Sequence, residues 1–121
     1  MTKALVVDDI RLPADLLCQM LRLLDIDAHA VYGSTPAILY LSQVTPDVVF
    51  LDVNMPGVSG FEVLSFLKRE PRMAYVPVIF VTADDSPETA ARARNDGAIA
   101  VLIKPTSLEE IENVLKTANI I

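Results

Sequence analysis

The sequence predicts a doubly wound α/β domain, in which a parallel sheet is covered by helices on both faces. Three observations predict this fold: short apolar segments of strand length, helical periodicity between them, and turn or capping residues at the junctions. A strand followed by a helix occurs five times in the 121 residues, which match one ordinary domain. Parallel strands joined in this way need right-handed crossovers, which put helices on both sides of the sheet.

Each predicted strand is a short apolar segment. Four of them are mostly β-branched or aromatic and predict buried strands. A weaker fifth candidate contains His29 and small alanines, and is typical of an edge strand on which His29 is exposed. In chain order the predicted strands are residues 4–7, the weaker 28–32, 48–51, 78–81 and 99–103.

The segments between the strands repeat apolar residues with the period of a helix. The first is predicted over residues 13–24, with one face formed by four leucines and a methionine. These residues are Leu16, Leu17, Met20, Leu21 and Leu24. In the last segment Leu108, Ile111 and Leu115 share a face.

Residues at the ends of these segments agree with the predicted helices. Pro13 and Pro36 lie near first helical positions, where a missing N–H costs nothing. Ser107 is followed three residues later by Glu110, which is the pattern of a capping box. Gly97 is expected to end a helix in the left-handed conformation.

Composition excludes several classes of protein. A net charge of −6 argues against a domain that neutralises nucleic-acid phosphates. The longest apolar run, residues 98–103, is too short to cross a bilayer, and the N-terminus does not resemble a secretory signal, so the cytoplasm is the expected compartment. Cys18 and His29 are the only residues of their types, so any metal must take oxygen ligands.

Polar side chains follow four of the predicted strands, at the edge where ligands bind in open α/β sheets. Each has a simple alternative role as a cap or a surface charge. In chain order they are Asp8 and Asp9, Asp52, Thr82, and Lys104 before Pro105.

Three carboxylates at adjacent strand ends repel one another unless a proton or a cation neutralises them. An all-oxygen site of this kind suits Mg²⁺, with Mn²⁺ as an alternative. Together with Lys104, a divalent cation would bring the local charge to about zero, and the site could then receive an anion. Phosphoryl transfer onto Asp is the chemistry this predicts, with the solitary Asp52 as nucleophile and Thr82 as a hydroxyl donor.

The whole chain resembles the receiver domains of response regulators in two-component signalling, of the stand-alone, chemotaxis-regulator type. The resemblance rests on the strand ends and on the segments around them. These are residues 6–9, 46–52, Met55-Pro56-Gly57 with Gly60, Val81-Thr82-Ala83, Gly97-Ala98 and Lys104-Pro105. It implies one receiver domain over residues 1–121, with a flavodoxin-like three-layer (βα)5 fold and strand order 2-1-3-4-5.

The resemblance also implies a role for each site residue. Asp52 would accept the phosphoryl group from a histidine kinase phosphohistidine, and Lys104 would pair with that group. The Lys104–Pro105 peptide would be cis, which would direct the lysine side chain inward. Asp8, Asp9, Asp52 and the backbone carbonyl of Asn54 would hold the metal. The domain would catalyse only its own phosphorylation and dephosphorylation, so it is not expected to be an enzyme in the usual sense.

One position departs from the family pattern. Thr82 and the residue three before the lysine form the family's switch, and that residue is commonly Tyr or Phe, whereas here it is Val101. Valine carries neither a ring nor a hydroxyl to follow the movement of Thr82, so an altered switch is one interpretation. An ordinary strand residue is the alternative interpretation of Val101. Asn54 and Asp84 resemble family positions that tune the lifetime of the phosphoryl group.

The expected partners are a histidine kinase or phosphotransfer protein and a downstream protein or effector domain, with no nucleic acid or membrane. No effector domain fits within these 121 residues, so the signal is expected to leave by surface contact. The kinase is expected near the first helix, at Arg11, Leu12 and Asp15. The downstream partner is expected to bind the surface of the fourth helix, fifth strand and fifth helix. A homodimer through the same surface is an open alternative. The candidates there are Arg92, Arg94, Val101, Glu109 and Glu112.

Two alternative functions remain beside this one. A phosphatase of the haloacid dehalogenase type also phosphorylates an Asp at a strand end, but it needs an acid two residues later, where this chain has Asn54. A degenerate receiver would bind partners without being phosphorylated. The full acidic set disfavours that hypothesis, and Val101 keeps it open.

Overall fold

The computed structural model describes all 121 residues and contains five strands and five helices in strict alternation. In chain order they are β1 (Lys3–Val7), α1 (Arg11–Leu23), β2 (Asp27–Val31), α2 (Ser34–Leu41), β3 (Val48–Leu51), α3 (Gly60–Arg69), β4 (Val78–Thr82), α4 (Pro87–Asn95), β5 (Ala100–Ile103) and α5 (Leu108–Thr117). All strands are parallel, in the order β2-β1-β3-β4-β5. The predicted fold class and strand order are confirmed. No helix is long and apolar enough to span a membrane.

Alternate residues of the central strands supply two separate cores. Leu5, Val7 and Phe80 face the core covered by α2, α3 and α4. Val6 and Phe50 face the core covered by α1 and α5. Successive side chains along a strand point to opposite faces of the sheet. The same alternation predicts which face each residue just after a strand lies on.

The helix signals in the sequence are largely confirmed. Ser107 and Glu110 form the predicted capping box at α5, and Gly97 has a φ of +114° after α4. His29 is exposed, as predicted, and stacks on Tyr40 with ring centroids 4.7 Å apart. Cys18 is buried, which raises the pKa of its thiol.

The predicted buried face of α1 is partly wrong. Its buried residues are Ala14, Leu17, Cys18 and Leu21, whereas Leu16 is 46% exposed. The reason is geometric: the buried stripe follows positions i, i+3, i+4 and i+7, and Leu16 lies about 100° from Leu17 around the axis. Leu16 therefore lies at the edge of the core, where it lines a groove beside α1.

Candidate functional site

The ends of β1 and β3 bring two aspartates to the face covered by α1 and α5. The backbone N–H of Asp52 donates to Val7 at 2.9 Å, and that of Asp8 donates to Val31 at 3.2 Å, so the hydrogen-bond ladder continues beyond both strands. By alternation, Asp8 and Asp52 share the face of Val6 and Phe50. Both aspartates are buried.

Lys104 lies between these two carboxylates. Its Nζ is 2.8 Å from Asp8 Oδ2 and 3.8 Å from Asp52 Oδ1, so the hydrogen bond is made with Asp8. The Lys104–Pro105 peptide is cis, as the resemblance implies. The backbone N–H of Lys104 donates to the Thr82 carbonyl at 2.8 Å, which fixes the lysine at the end of β4.

Asp9 completes a cluster of three carboxylates. Oxygen atoms of Asp8, Asp9 and Asp52 all lie within 4.8 Å of one another. Asp9 Oδ1 is buried and has no hydrogen-bond partner. Three carboxylates and the Lys104 ammonium leave a formal charge of −2. A divalent cation would neutralise this charge and satisfy the orphan oxygen, so the residues fit such an ion.

Within this cluster, Asp52 has a pKa that is raised from 3.8 to about 6. Burial is the largest cause and raises the pKa, the Lys104 ammonium lowers it, and the Asp8 carboxylate raises it. A backbone hydrogen bond from Asn54 opposes the rise and keeps this pKa from climbing further. Asp52 is therefore a carboxylate held in an environment that disfavours its charge, as expected for a functional group.

A groove of about 400 Å³ adjoins the carboxylates on the side of α1. Its lining includes Pro13, Leu16 and Met20 of α1 and the segment from Lys104 to Thr106. Asp8 and Asp52 also line it. The candidate phosphoacceptor thus opens into a mostly apolar depression.

A sequence model of the response regulator receiver domain matches residues 4–116. The chain belongs to this family. Two-component response regulator ORR8 of Oryza sativa subsp. indica is 26% identical over 113 residues, which cover 93% of both chains. An uncharacterized response regulatory protein of Vibrio cholerae serotype O1 is 34% identical over 96% of this chain and 48% of its own. Chemotaxis protein CheY4 of Vibrio cholerae superposes with a TM-score of 0.90 at 26% identity, over 97% of this chain and 98% of its own.

Phosphoryl acceptance is the general function of receiver domains, and they bind Mg²⁺ through acidic residues. In this receiver domain the structure brings together Asp8, Asp9, Asp52 and Lys104 as the sequence predicted. The roles of these residues, and of the Asn54 carbonyl, remain predictions. Asn54 itself is exposed beside Asp52.

Thr82 makes no hydrogen bond with the carboxylates in this receiver domain. It is fully buried at the end of β4, and alternation puts it on the face of Phe80. Its Oγ1 accepts a hydrogen bond from the Asp84 backbone N–H at 3.1 Å rather than contacting Asp52 or Lys104. A hydroxyl that accepts one hydrogen bond can still donate another, and the role of Thr82 toward the phosphoryl group stays a prediction.

Val101 is half-buried and packs against the core under α2, α3 and α4. Its neighbour across the sheet is Phe80. The Phe80 ring packs against Phe61 of α3 at 5.2 Å, and the Arg92 guanidinium of α4 lies 3.8 Å from the Phe61 ring centroid. Aromatic rings therefore pack near Val101, although residue 101 itself is not aromatic.

Sequence reasoning missed the side chains that fasten the loop between β4 and α4. Asp84 Oδ1 accepts from the Ser86 backbone N–H at 2.9 Å, and Asp84 Oδ2 accepts from Thr89 Oγ1 at 2.6 Å. Ser86 caps α4 by accepting from the Thr89 backbone N–H. The sequence signal was present: a serine before Pro87 marks a helix start, which puts Thr89 at the third helical position.

Proposed function

We propose that this receiver accepts a phosphoryl group on Asp52 from the phosphohistidine of a histidine kinase or phosphotransfer protein, with Mg²⁺ bound beside it. The observation that carries this proposal is the cluster of three carboxylates within 4.8 Å, with a lysine ammonium between two of them. A conformational change at the surface would then pass the signal to a downstream partner.

In the transfer, an ionised Asp52 oxygen attacks phosphorus. The bond from phosphorus to the donor's imidazole nitrogen breaks as the bond to Asp52 forms, and the imidazole leaves with the electron pair. Lys104 is close enough to stabilise the negative oxygens of the transferring group. The lysine also favours the ionised form of Asp52 that the attack needs.

Asp8, Asp9, Asp52 and the Asn54 carbonyl would hold the metal. When bound, Mg²⁺ supplies positive charge next to the phosphoryl oxygens. The buried, unpartnered Asp9 Oδ1 supports this assignment, because a buried anionic oxygen without a partner is costly unless a cation reaches it. Mn²⁺ has the same preference for oxygen ligands and is the alternative ion.

The alternative functions have less support. A haloacid dehalogenase-type phosphatase needs a second acid two residues after the nucleophile, and the amide of Asn54 cannot donate a proton in that way. A degenerate receiver would not need three convergent carboxylates, which destabilise one another without a cation. The half-buried Val101 fits an ordinary strand residue and so does not favour degeneracy.

We place the phosphodonor over the start of α1. Ile10, Leu12 and Leu16 are exposed there, and Leu16 lines the groove that Asp52 also lines. Exposed Arg11 and Asp15 provide charged groups around this apolar surface. The output surface is proposed at α4, β5 and α5, where Arg92, Arg94, Glu109 and half-buried Glu112 join Val101.

Labelling with a small phosphodonor tests the proposed function. After incubation with acetyl phosphate and Mg²⁺, intact-mass spectrometry should show a single phosphoryl adduct on the wild-type chain. Asp52→Asn should show none, because an amide is not a nucleophile at neutral pH. Asp85→Asn is the matched control, since it removes the same charge from an exposed loop position. An unlabelled wild-type chain, with no NMR response to beryllium fluoride, would favour the degenerate receiver.

Asp9→Asn should weaken Mg²⁺ binding by at least tenfold, because it removes one anionic ligand and leaves an amide near the orphan oxygen's position. A Mg²⁺ titration followed by NMR measures the dissociation constant directly. With EDTA present the variant should be at least as stable as the wild type, because one of three mutually repelling carboxylates is gone. Unchanged Mg²⁺ affinity would remove Asp9 from the metal site.

A further inference from the structure

Asp84 is a fourth carboxylate at the edge of the sheet that carries the site. It follows Thr82 by two residues, and its backbone N–H donates to the Thr82 hydroxyl oxygen at 3.1 Å. With a divalent cation bound, the cluster of Asp8, Asp9 and Asp52 together with Lys104 would carry a net charge of about zero, so another carboxylate turned toward it would make the site negative and repel an incoming phosphoryl group.

The structure shows what holds this carboxylate elsewhere. Both oxygens of Asp84 are hydrogen-bonded to the start of α4: Oδ1 accepts from the Ser86 backbone N–H at 2.9 Å, and Oδ2 accepts from Thr89 Oγ1 at 2.6 Å. Thr89 Oγ1 in turn accepts from Ser86 Oγ at 3.1 Å, so the Thr89 proton is directed to Asp84. These bonds lower the pKa of Asp84, with the Thr89 bond as the largest cause.

We propose that Thr89 is a positioning residue for the phosphoacceptor site, whose hydroxyl holds the Asp84 carboxylate against α4 and so keeps a fourth negative charge away from Asp52. This inference rests on the proposed phosphorylation of Asp52 and adds a way in which α4 regulates it. A displacement of the first turn of α4 breaks the Thr89 bond and leaves the Asp84 carboxylate held only by the Ser86 backbone N–H, so that the carboxylate can turn toward the site.

The bonds also tie Thr82 to α4. The Thr82 hydroxyl, the Asp84 backbone and carboxylate, and the Thr89 hydroxyl form one continuous series across the loop. Thr82 has no other side-chain hydrogen bond. A movement of the Thr82 hydroxyl is therefore transmitted to the start of α4 through these hydrogen bonds, without any contribution from Val101.

Thr89→Val tests the proposal, because it keeps the shape of the side chain and removes the donor. With acetyl phosphate and saturating Mg²⁺, Thr89→Val should be phosphorylated about threefold more slowly than the wild type, the size expected when one unit charge repels another through water-like surroundings. Thr89→Ser retains the hydroxyl and should restore the wild-type rate. In the Thr89→Val background, Asp84→Asn should also restore it, because the released group is then neutral.

The Asp84 carboxyl group provides an independent signal. By NMR its pKa should rise in Thr89→Val and in Thr89→Ala, and stay low in Thr89→Ser. Equal rates for the wild type and Thr89→Val, or a slow rate that Asp84→Asn does not repair, would overturn the role of Thr89 alone. A wild-type chain that acetyl phosphate does not label would overturn the proposed function, and this inference with it.

Discussion

In metal-free buffer at pH 7, Asp52→Asn should be more stable than the wild type by about 3 kcal/mol, although it cannot be phosphorylated. The folded protein raises the pKa of Asp52 from 3.8 to about 6, chiefly by burial. Holding this carboxylate ionised therefore costs folding free energy, at about 1.4 kcal/mol for each unit of pKa change. Asparagine fills nearly the same volume without the charge.

The sign of the pH dependence follows from the raised pKa. Above pH 6 Asp52 is ionised in both the folded and the unfolded chain, so the full cost is present. Between pH 6 and about 4 the folded chain binds a proton that the unfolded chain does not, and most of the cost disappears. The advantage of Asp52→Asn should thus shrink to about 0.5 kcal/mol at pH 4.

Urea unfolding in EDTA at pH 7 and at pH 4 measures this difference. Asp85→Asn makes the same change in net charge at an exposed position and should leave stability within about 0.5 kcal/mol of the wild type. Mg²⁺ added at several hundred times its dissociation constant should stabilise the wild type by more than about 3 kcal/mol and reverse the order of the two proteins, because a ligand that binds only the folded chain raises its stability by about 4 kcal/mol at a thousandfold excess over Kd. An Asp52→Asn variant less stable than the wild type in EDTA would contradict the assigned cost.

The fold was predictable because its strands are nearly pure apolar segments. The segment 48–51 coincides with β3. Elsewhere the ends differ by a residue: Lys3, Asp27 and Thr82 belong to strands although their side chains are polar, while exposed Ile99 does not. Backbone hydrogen bonds decide where a strand ends, and side-chain hydrophobicity reports them only indirectly.

The convergence of the site was predictable for the same reason. Parallel strands bring their carboxyl ends to one edge, so Asp8, Asp52 and Lys104 had to approach each other. The partner of Lys104 was not predictable, because its 2.8 Å bond to Asp8 and its 3.8 Å separation from Asp52 depend on where the lysine side chain lies between them. The Thr89 bond to Asp84 depends likewise on how α4 starts.

Gly60→Ala should be the most damaging single-methyl change near the site. A Cβ at this position would lie 2.2 Å from the Asp52 carbonyl oxygen and 3.0 Å from the Val53 Cα. The Gly60 N–H also donates to the Val53 carbonyl at 2.9 Å, which holds α3 close to this loop. Since both clashing atoms are backbone, α3 or the loop must move, at a cost of about 3 kcal/mol.

The same displacement reaches the chemistry, because the clashing oxygen belongs to Asp52 itself. We expect the rate of labelling by acetyl phosphate to fall by about 10²-fold, as misplacement of a reacting group by about 1 Å can do. Gly57→Ala is the matched control: its φ of +78° strains an alanine by about 1 kcal/mol, but no atom lies within 4 Å of the new methyl group. Urea unfolding and intact-mass labelling of both variants separate the effects. If Gly60→Ala is no less stable than Gly57→Ala and labels at the wild-type rate, the close approach of α3 to Asp52 is not needed to position the phosphoacceptor.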